Sequence, residues 1–157
     1  MLGVAAGALL SITLIGSAAV PTVPAGFLLV ETPGGRLVAS VALPPDGAFT
    51  LRYRNSLYGT PAAEDFVVTD GAIHLVGLRA EQLAVLEEYY AISSPARRDR
   101  AGGDWWAEPA HRPVIQTLQL AATDLGERTL HVAGAAPVEL WRLVDDAAPH
   151  LVLRAGR

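Results

Sequence analysis

The stretch Phe49 to Val68, FTLRYRNSLYGTPAAEDFVV, restricts the fold of this chain more than any other. Phe49, Leu51 and Tyr53 alternate with Thr50, Arg52 and Arg54, the period of two that marks a strand with one buried face. After a polar loop the rhythm resumes, with Glu64, Phe66 and Val68 on one face and Asp65, Val67 and Thr69 on the other. An antiparallel pairing that sets Tyr53 opposite Phe66 also sets Leu51 opposite Val68 and Asn55 opposite Glu64. A slip of one residue would turn apolar side chains to the wrong side of the sheet, which disfavours the neighbouring registers. Asn55 and Glu64 are therefore expected together on the inner face, at the mouth of the hairpin. Two roles are open to them. Either the amide donates to the carboxylate and pins the loop, or the pair, with Ser56 beside it, serves a ligand or partner.

The strand rhythm extends in both directions. Asp70-Gly71 is a short hairpin turn that sets Phe66 opposite Leu75 and Val68 opposite Ile73, with His74 outward opposite Val67 and Gly77 opposite Glu64. Upstream, Phe27–Glu31 and Leu37–Leu43 flank Pro33-Gly34-Gly35, and Pro44-Pro45-Asp46-Gly47 turns the chain into the central hairpin. From Arg79 to Ile92 the period changes. Leu83, Leu86 and Tyr90 recur at helical spacing, widened by Val85 and Tyr89, which predicts one short amphipathic helix packed on the sheet. Ser93 to Pro113 reads as an irregular loop. Its adjacent Trp105 and Trp106, with Arg97, Arg98 and Arg100, form the best contact surface in the chain, because Trp and Arg dominate interface hot spots. The alternative is a mobile loop with one tryptophan folded back on the sheet. Val114–Ala122, Arg128–Ala133, Val138–Val144 and His150–Arg154 supply the remaining strands. The absence of a βαβ rhythm predicts an all-β, mainly antiparallel fold over residues 26–157: a small β-sandwich or partly closed β-barrel of about eight or nine strands.

Composition narrows the function. At 157 residues the chain has room for one domain and a sizeable core. A formal charge of −4 argues against nucleic acid as a partner. The lack of cysteine removes disulfides, thiolate catalysis and Cys-ligated metals. His74, His111, His131 and His150 are scattered without metal-ligand spacing, and Asp145-Asp146 reads as a solvated turn. No nucleophile-elbow, zinc-protease, phosphate-loop or dinucleotide motif occurs, so the expectation is a non-enzyme without catalytic residue, metal or cofactor. Residues 2–30 carry no charge, and Leu2–Val20 approaches the roughly 20 apolar residues that span a bilayer. Ser17-Ala18-Ala19 provides the small residues of a signal-peptidase site. Residues 1–25 therefore read as a signal peptide or, if uncleaved, a membrane anchor, and the protein as exported to the periplasm or cell surface.

The run YRNSLYGTPAAEDF resembles the segment that marks a bacterial family of unknown function, domain-of-unknown-function family 1850. Tyr53, Ser56, Thr60, Pro61 and Glu64 match its pattern, whereas Arg54, Asn55 and Leu57 stand where Thr, His and Val are usual. A looser similarity continues to about Leu143. Members of that family are commonly encoded beside, or fused to, the membrane subunits of TAXI-type TRAP transporters. The resemblance implies a non-catalytic extracytoplasmic accessory protein whose partners are the membrane or solute-binding subunits of such a transporter. Without the family's His, Asn55 cannot act as an acid or base. The reading from another class is a stand-alone extracytoplasmic β-domain that itself binds a small ligand or cation.

Overall fold

In the computed structural model, which describes residues 26–92, 94–98 and 103–156, the alternating segments form twelve antiparallel strands in two sheets. The segment 1–25, read above as leader or anchor, lies outside the described residues. Numbered in chain order, β1 (Gly26–Glu31), β2 (Leu37–Leu43), β9 (Leu118–Ala121) and β12 (His150–Gly156) make the smaller sheet, ordered β2-β1-β12-β9. The larger sheet contains β3 (Ala48–Arg54), β4 (Pro61–Thr69), β5 (Ala72–Ala80), β6 (Arg97–Arg98), β7 (Trp105–Ala107), β8 (Val114–Ile115), β10 (Thr129–His131) and β11 (Val138–Glu139). Its order is β11-β10-β3-β4-β5-β7-β6, with β8 also on β5. Among the described residues the sheets do not close into a barrel, so of the two expected forms the sandwich is the one adopted. Among the described residues no helix is long and apolar enough to cross a membrane.

The layers meet through their inward residues. Leu28, Val30, Val41, Leu43, Leu120, Leu151 and Leu153 of the small sheet pack on Phe49, Leu51, Phe66, Ile73 and Leu130 of the large one. The Phe49 and Phe66 rings stack across the β3–β4 pair at 5.0 Å. Each fully buried Leu or Phe contributes about 1.5–3 kcal/mol, so this leucine-rich layer is the main stabilising term. A second cluster, Tyr53, Ala62, Leu78, Ala80, Val85, Leu86 and Ala107, contains no residue of the small sheet. There the cover comes from one helical turn of π geometry, Val85–Tyr89, that buries Val85 and Leu86 completely.

Several sequence expectations change in three dimensions. The predicted helix loses Arg79 and Ala80 to β5, and Ala91 at φ +46° ends what remains after one turn. The predicted irregular loop contains β6 and β7, which extend the sheet beyond β5. The predicted strand Val114–Ala122 bends at Gln116-Thr117, so that β8 pairs with β5 in one layer and β9 with β12 in the other. Changing sheets at a bend is how a sandwich turns a corner. Val138–Val144 stops as a strand after Glu139, and a 3₁₀ turn at Leu140–Arg142 drives Leu140 into the core.

The central hairpin keeps its predicted faces but not its register. Tyr53 pairs with Ala62 instead of Phe66, a displacement of four residues along β4, and Leu51 pairs with Glu64. An even displacement leaves every side chain on the same face, so the apolar pattern cannot distinguish the two registers. The loop chemistry does. Asn55 N–H donates to the Thr60 carbonyl at 2.9 Å and Gly59 N–H to the Asn55 carbonyl at 2.7 Å, closing the turn early. Pro61 can then head β4, where no ladder N–H is demanded of it. Along β4–β5 the expected pairs hold as far as Phe66–Leu75, with Val67 opposite His74. A β-bulge then places Asp65 opposite Gly77 and Glu64 opposite Leu78. Gly77 consequently does not face Glu64.

Gly47 provides a test of this framework. Its φ is +68°, its carbonyl accepts the Val68 N–H at 2.9 Å, and a Cβ there would meet the Val68 backbone. Gly35 has φ +81° but open space around it. Alanine at either position incurs about 1–2 kcal/mol of left-handed strain. Gly47→Ala is expected to lose at least about 1 kcal/mol more than Gly35→Ala in urea unfolding. Equal losses would contradict the close approach of the β2–β3 turn to β4.

Candidate functional site

Glu64 occupies an inner-face position between Leu51 and Leu78, its pairing partners on the adjacent strands, both of them buried. A carboxylate there needs donors, because an uncompensated charge in an apolar layer is costly. Arg128, which follows the 122–127 turn and directly precedes β10, brings Nη1 to 3.1 Å from Oε2. Tyr90, from the end of the helical turn, donates its hydroxyl to Oε1 at 2.6 Å. The Tyr53 hydroxyl lies 2.6 Å from that of Tyr90. Since the Tyr90 proton points at the carboxylate, Tyr53 is the donor in this pair. The Arg128 guanidinium also sits 4.6 Å above the Tyr53 ring, a cation–π contact. Burial pushes the Tyr53 phenol up to about 12, with the Glu64 charge adding to the rise. Burial and the same carboxylate raise Tyr90 further. Both phenols thus keep their protons at neutral pH and act as donors, not bases.

Asn55 is not part of this network, which corrects the expected Asn55–Glu64 pair. It does pin the loop, but through backbone groups: Oδ1 accepts the N–H groups of Leu57 at 3.0 Å and Tyr58 at 3.1 Å. Asn55 is only 4% exposed, and its Nδ2 donates to no group among the described residues. Asn55 and Ser56 join Tyr53, Tyr89, Leu125 and Arg128 in lining a pocket of about 200 Å³ at this end of the sheet. Glu64 lies behind it, held by Arg128. Of the predicted set, Asn55 and Ser56 therefore reach the pocket wall directly and Glu64 acts through the arginine.

The second predicted group lies elsewhere. Arg97 pairs with Trp106 and Arg98 with Trp105 across the β6–β7 ribbon. Trp105 turns inward onto the cluster around Leu78 and Leu86, so it is not a free contact residue. The Arg98 guanidinium lies 5.5 Å from its ring centre. Trp106 faces the other way, over Gly77, where a Cβ would stand 3.2 Å from its Nε1 and 3.3 Å from Asp65 Oδ2. Asp65 is gripped by Arg79 through two bonds of 2.8 and 2.5 Å and by the Thr50 hydroxyl at 2.7 Å. That bond to Asp65 raises the Arg79 pKa. Arg79, Arg97, Arg98, Gly103, Asp104 and Trp106 line a recess of about 540 Å³ on this outer face. Among the described residues no three of His, Asp and Glu converge as a metal site.

Arg128, Tyr90 and Arg79 were missed by sequence reasoning. Tyr90 carried a signal, its place on the apolar stripe of the predicted helix. Arg128 and Arg79 gave none, because their roles depend on the β3–β10 pairing and on the β4–β5 bulge.

Two measurements probe the network. Tyr90→Phe and Glu64→Gln should each cost about 1–3 kcal/mol in urea unfolding, by leaving buried groups short of a bond. The double variant should lose less than their sum by about 0.5–3 kcal/mol, whereas Asn55→Ala with Glu64→Gln should be additive within about 0.5 kcal/mol. Coupling of Asn55 to Glu64 would contradict the register.

Alkaline titration supplies an independent check. A phenol raised from 10 to about 12 leaves stability intact below pH 10. As the pH climbs from 10 towards 12, the unfolded chain ionises first and stability falls. Tyr53→Phe should flatten that decline in melting temperature; an unchanged slope would refute the raised phenol. No family model, curated protein or solved structure matches the chain.

Proposed function

We propose that this chain is a non-catalytic, extracytoplasmic accessory protein of a TAXI-type TRAP solute transporter. It docks on a membrane or solute-binding subunit through the outer edge of the large sheet. Three features support the reading. The hairpin residues Tyr53, Ser56, Thr60, Pro61 and Glu64 carry the family resemblance. The uncharged segment 2–30 suits export or anchoring. The tyrosines of the Glu64 network keep their protons, which suits a positioning role better than acid–base turnover.

The observation that carries the docking surface is the β6–β7 ribbon. β6 is the edge strand of its sheet, and its two residues, Arg97 and Arg98, are both exposed. Trp106 stands beside them on the recess wall, and part-buried Asp65–Arg79 contacts brace the floor. Arginine with a half-buried tryptophan on a rigid floor is the composition of an interface hot spot. Short, charged edges also resist indiscriminate strand pairing, which favours a specific partner.

Capture of the transporter subunits by the full-length protein tests this. Trp106→Ala should weaken capture by about 2 kcal/mol, roughly 30-fold. Arg97→Ala with Arg98→Ala should do likewise and shift the melting temperature little, since both side chains are exposed. Trp105→Ala should instead lower stability, because that ring belongs to the inner cluster. Failure of the unmodified protein to capture either subunit would reject the proposal.

A further inference from the structure

The pocket at the mouth of β3 and β4 has a chemistry that docking leaves unused. Asn55 is 96% buried (4% exposed), and its Oδ1 is fully engaged by the loop amides. That fixes the amide orientation, leaving an Nδ2 amino group at the pocket wall without an acceptor among the described residues. The enclosed side-chain atom without a partner among the described residues is Thr60 Oγ1, so Nδ2 still meets solvent and is open to an incoming acceptor. Arg128 lines the same wall and uses Nη1 for Glu64, so its other N–H groups remain to be satisfied. The Ser56 hydroxyl is a third donor.

Thr123 Oγ1 receives the Gly126 N–H at 3.2 Å, and the Gly126 carbonyl receives the Arg54 N–H at 2.8 Å. An occupant that brings acceptors meets the donors of Asn55, Ser56 and Arg128 on this wall. The two arginines on the wall are each paired, Arg128 with Glu64 and Arg54 with Glu127. Such a site tolerates one negative charge and would not hold a multiply charged anion.

The rim is apolar. Tyr89 and Leu125, 62% and 61% exposed, line the opening, and Leu57, 76% exposed, stands on the loop next to Ser56. These are three of the six large apolar side chains that the described surface exposes, gathered at one end of the molecule. A volume of about 200 Å³ is below the roughly 300–1,000 Å³ of sites for drug-sized ligands, so the apolar body must be short.

From the unmatched donors and the apolar rim, we infer that this pocket binds a small amphipathic monocarboxylate. Its carboxylate lies against Asn55 Nδ2, Arg128 and Ser56, and its short apolar body lies against Tyr89 and Leu125. Tyr53, Tyr90 and Glu64 are positioning residues that fix the Arg128 guanidinium, which is suited to planar carboxylates. The inference does not depend on the transporter reading.

The experiment titrates butyrate and benzoate, against butyramide and benzamide, into the full-length chain in non-ionic detergent at constant ionic strength. Calorimetry and side-chain amide shifts follow binding. The acids should bind saturably, at least about tenfold tighter than the amides, because a site built to match a polar group rejects the analogue lacking it. Asn55→Asp keeps an oxygen for Leu57 and Tyr58 but replaces the donor with a charge. It should lose at least about tenfold in acid affinity, and capture through β6–β7 should be unaffected. Should that variant fail to fold, Ser56→Ala should weaken both acids and Leu125→Ala should weaken benzoate, at positions exposed enough to preserve the fold. Equal binding of acids and amides, no binding of either, or full affinity in a folded Asn55→Asp variant overturns the inference. So does full affinity in both Ser56→Ala and Leu125→Ala.

Discussion

The β-bulge between Asp65 and Phe66 is the constraint on which the rest of the large sheet depends. Below it, Phe66 and Ile73 face the small sheet in regular alternation. Beyond it the phase of β5 changes, so that Leu78 and Ala80 turn inward and Arg79 turns outward to Asp65. One extra residue thus separates two kinds of surface that simple alternation would have mixed. The inner side continues as an apolar floor for Val85 and Leu86. The outer side becomes a polar floor of Thr50, Asp65 and Arg79 beneath Trp106. Bulges commonly re-aim side chains in this way.

Glu64 is the energetic oddity that the arrangement must accommodate. Removing a carboxylate from water costs several kcal/mol unless charge and hydrogen bonds replace the lost hydration. Arg128 and Tyr90 supply those replacements from two separate elements, and Tyr53 completes the chain of hydroxyls. The network therefore ties the helical turn and the start of β10 to the central hairpin. Its net contribution to stability is small beside that of the leucine layer. Its effect is positional: it holds one guanidinium at the pocket wall in a single orientation.

The same division of labour appears on the small sheet. Arg154 of β12 grips Glu31 of β1 through two bonds of 2.9 and 2.6 Å, which lowers the Glu31 pKa. The strands there owe their stability to Leu28, Val30, Leu151 and Leu153, all fully buried. With the Arg154 side chain half exposed, the ionic contact fixes strand alignment more than it adds stability.

Alternation by itself determined the all-β class, the two-faced strands, the 70–71 turn and the inward set of Phe49, Leu51, Tyr53, Glu64 and Phe66. These follow from local sterics and a period of two, which any window of sequence displays. It also singled out Asn55, Ser56 and Glu64, because polar residues in phase with apolar ones are conspicuous. It did not determine which of them meet. Registers displaced by an even number of residues bury the same side chains, and only the Asn55–Thr60 loop bonds discriminate between them. Nor did it reveal that Arg128, 64 residues beyond Glu64, neutralises that carboxylate. That one tryptophan turns back on the sheet was one of two readings of the loop; that Trp105 and Trp106 sit on a strand paired with β6 was hidden, since strands of two and three residues are too short to show a period. Those choices belong to tertiary structure, where partners distant in sequence compete for the same hydrogen bonds and the same buried volume.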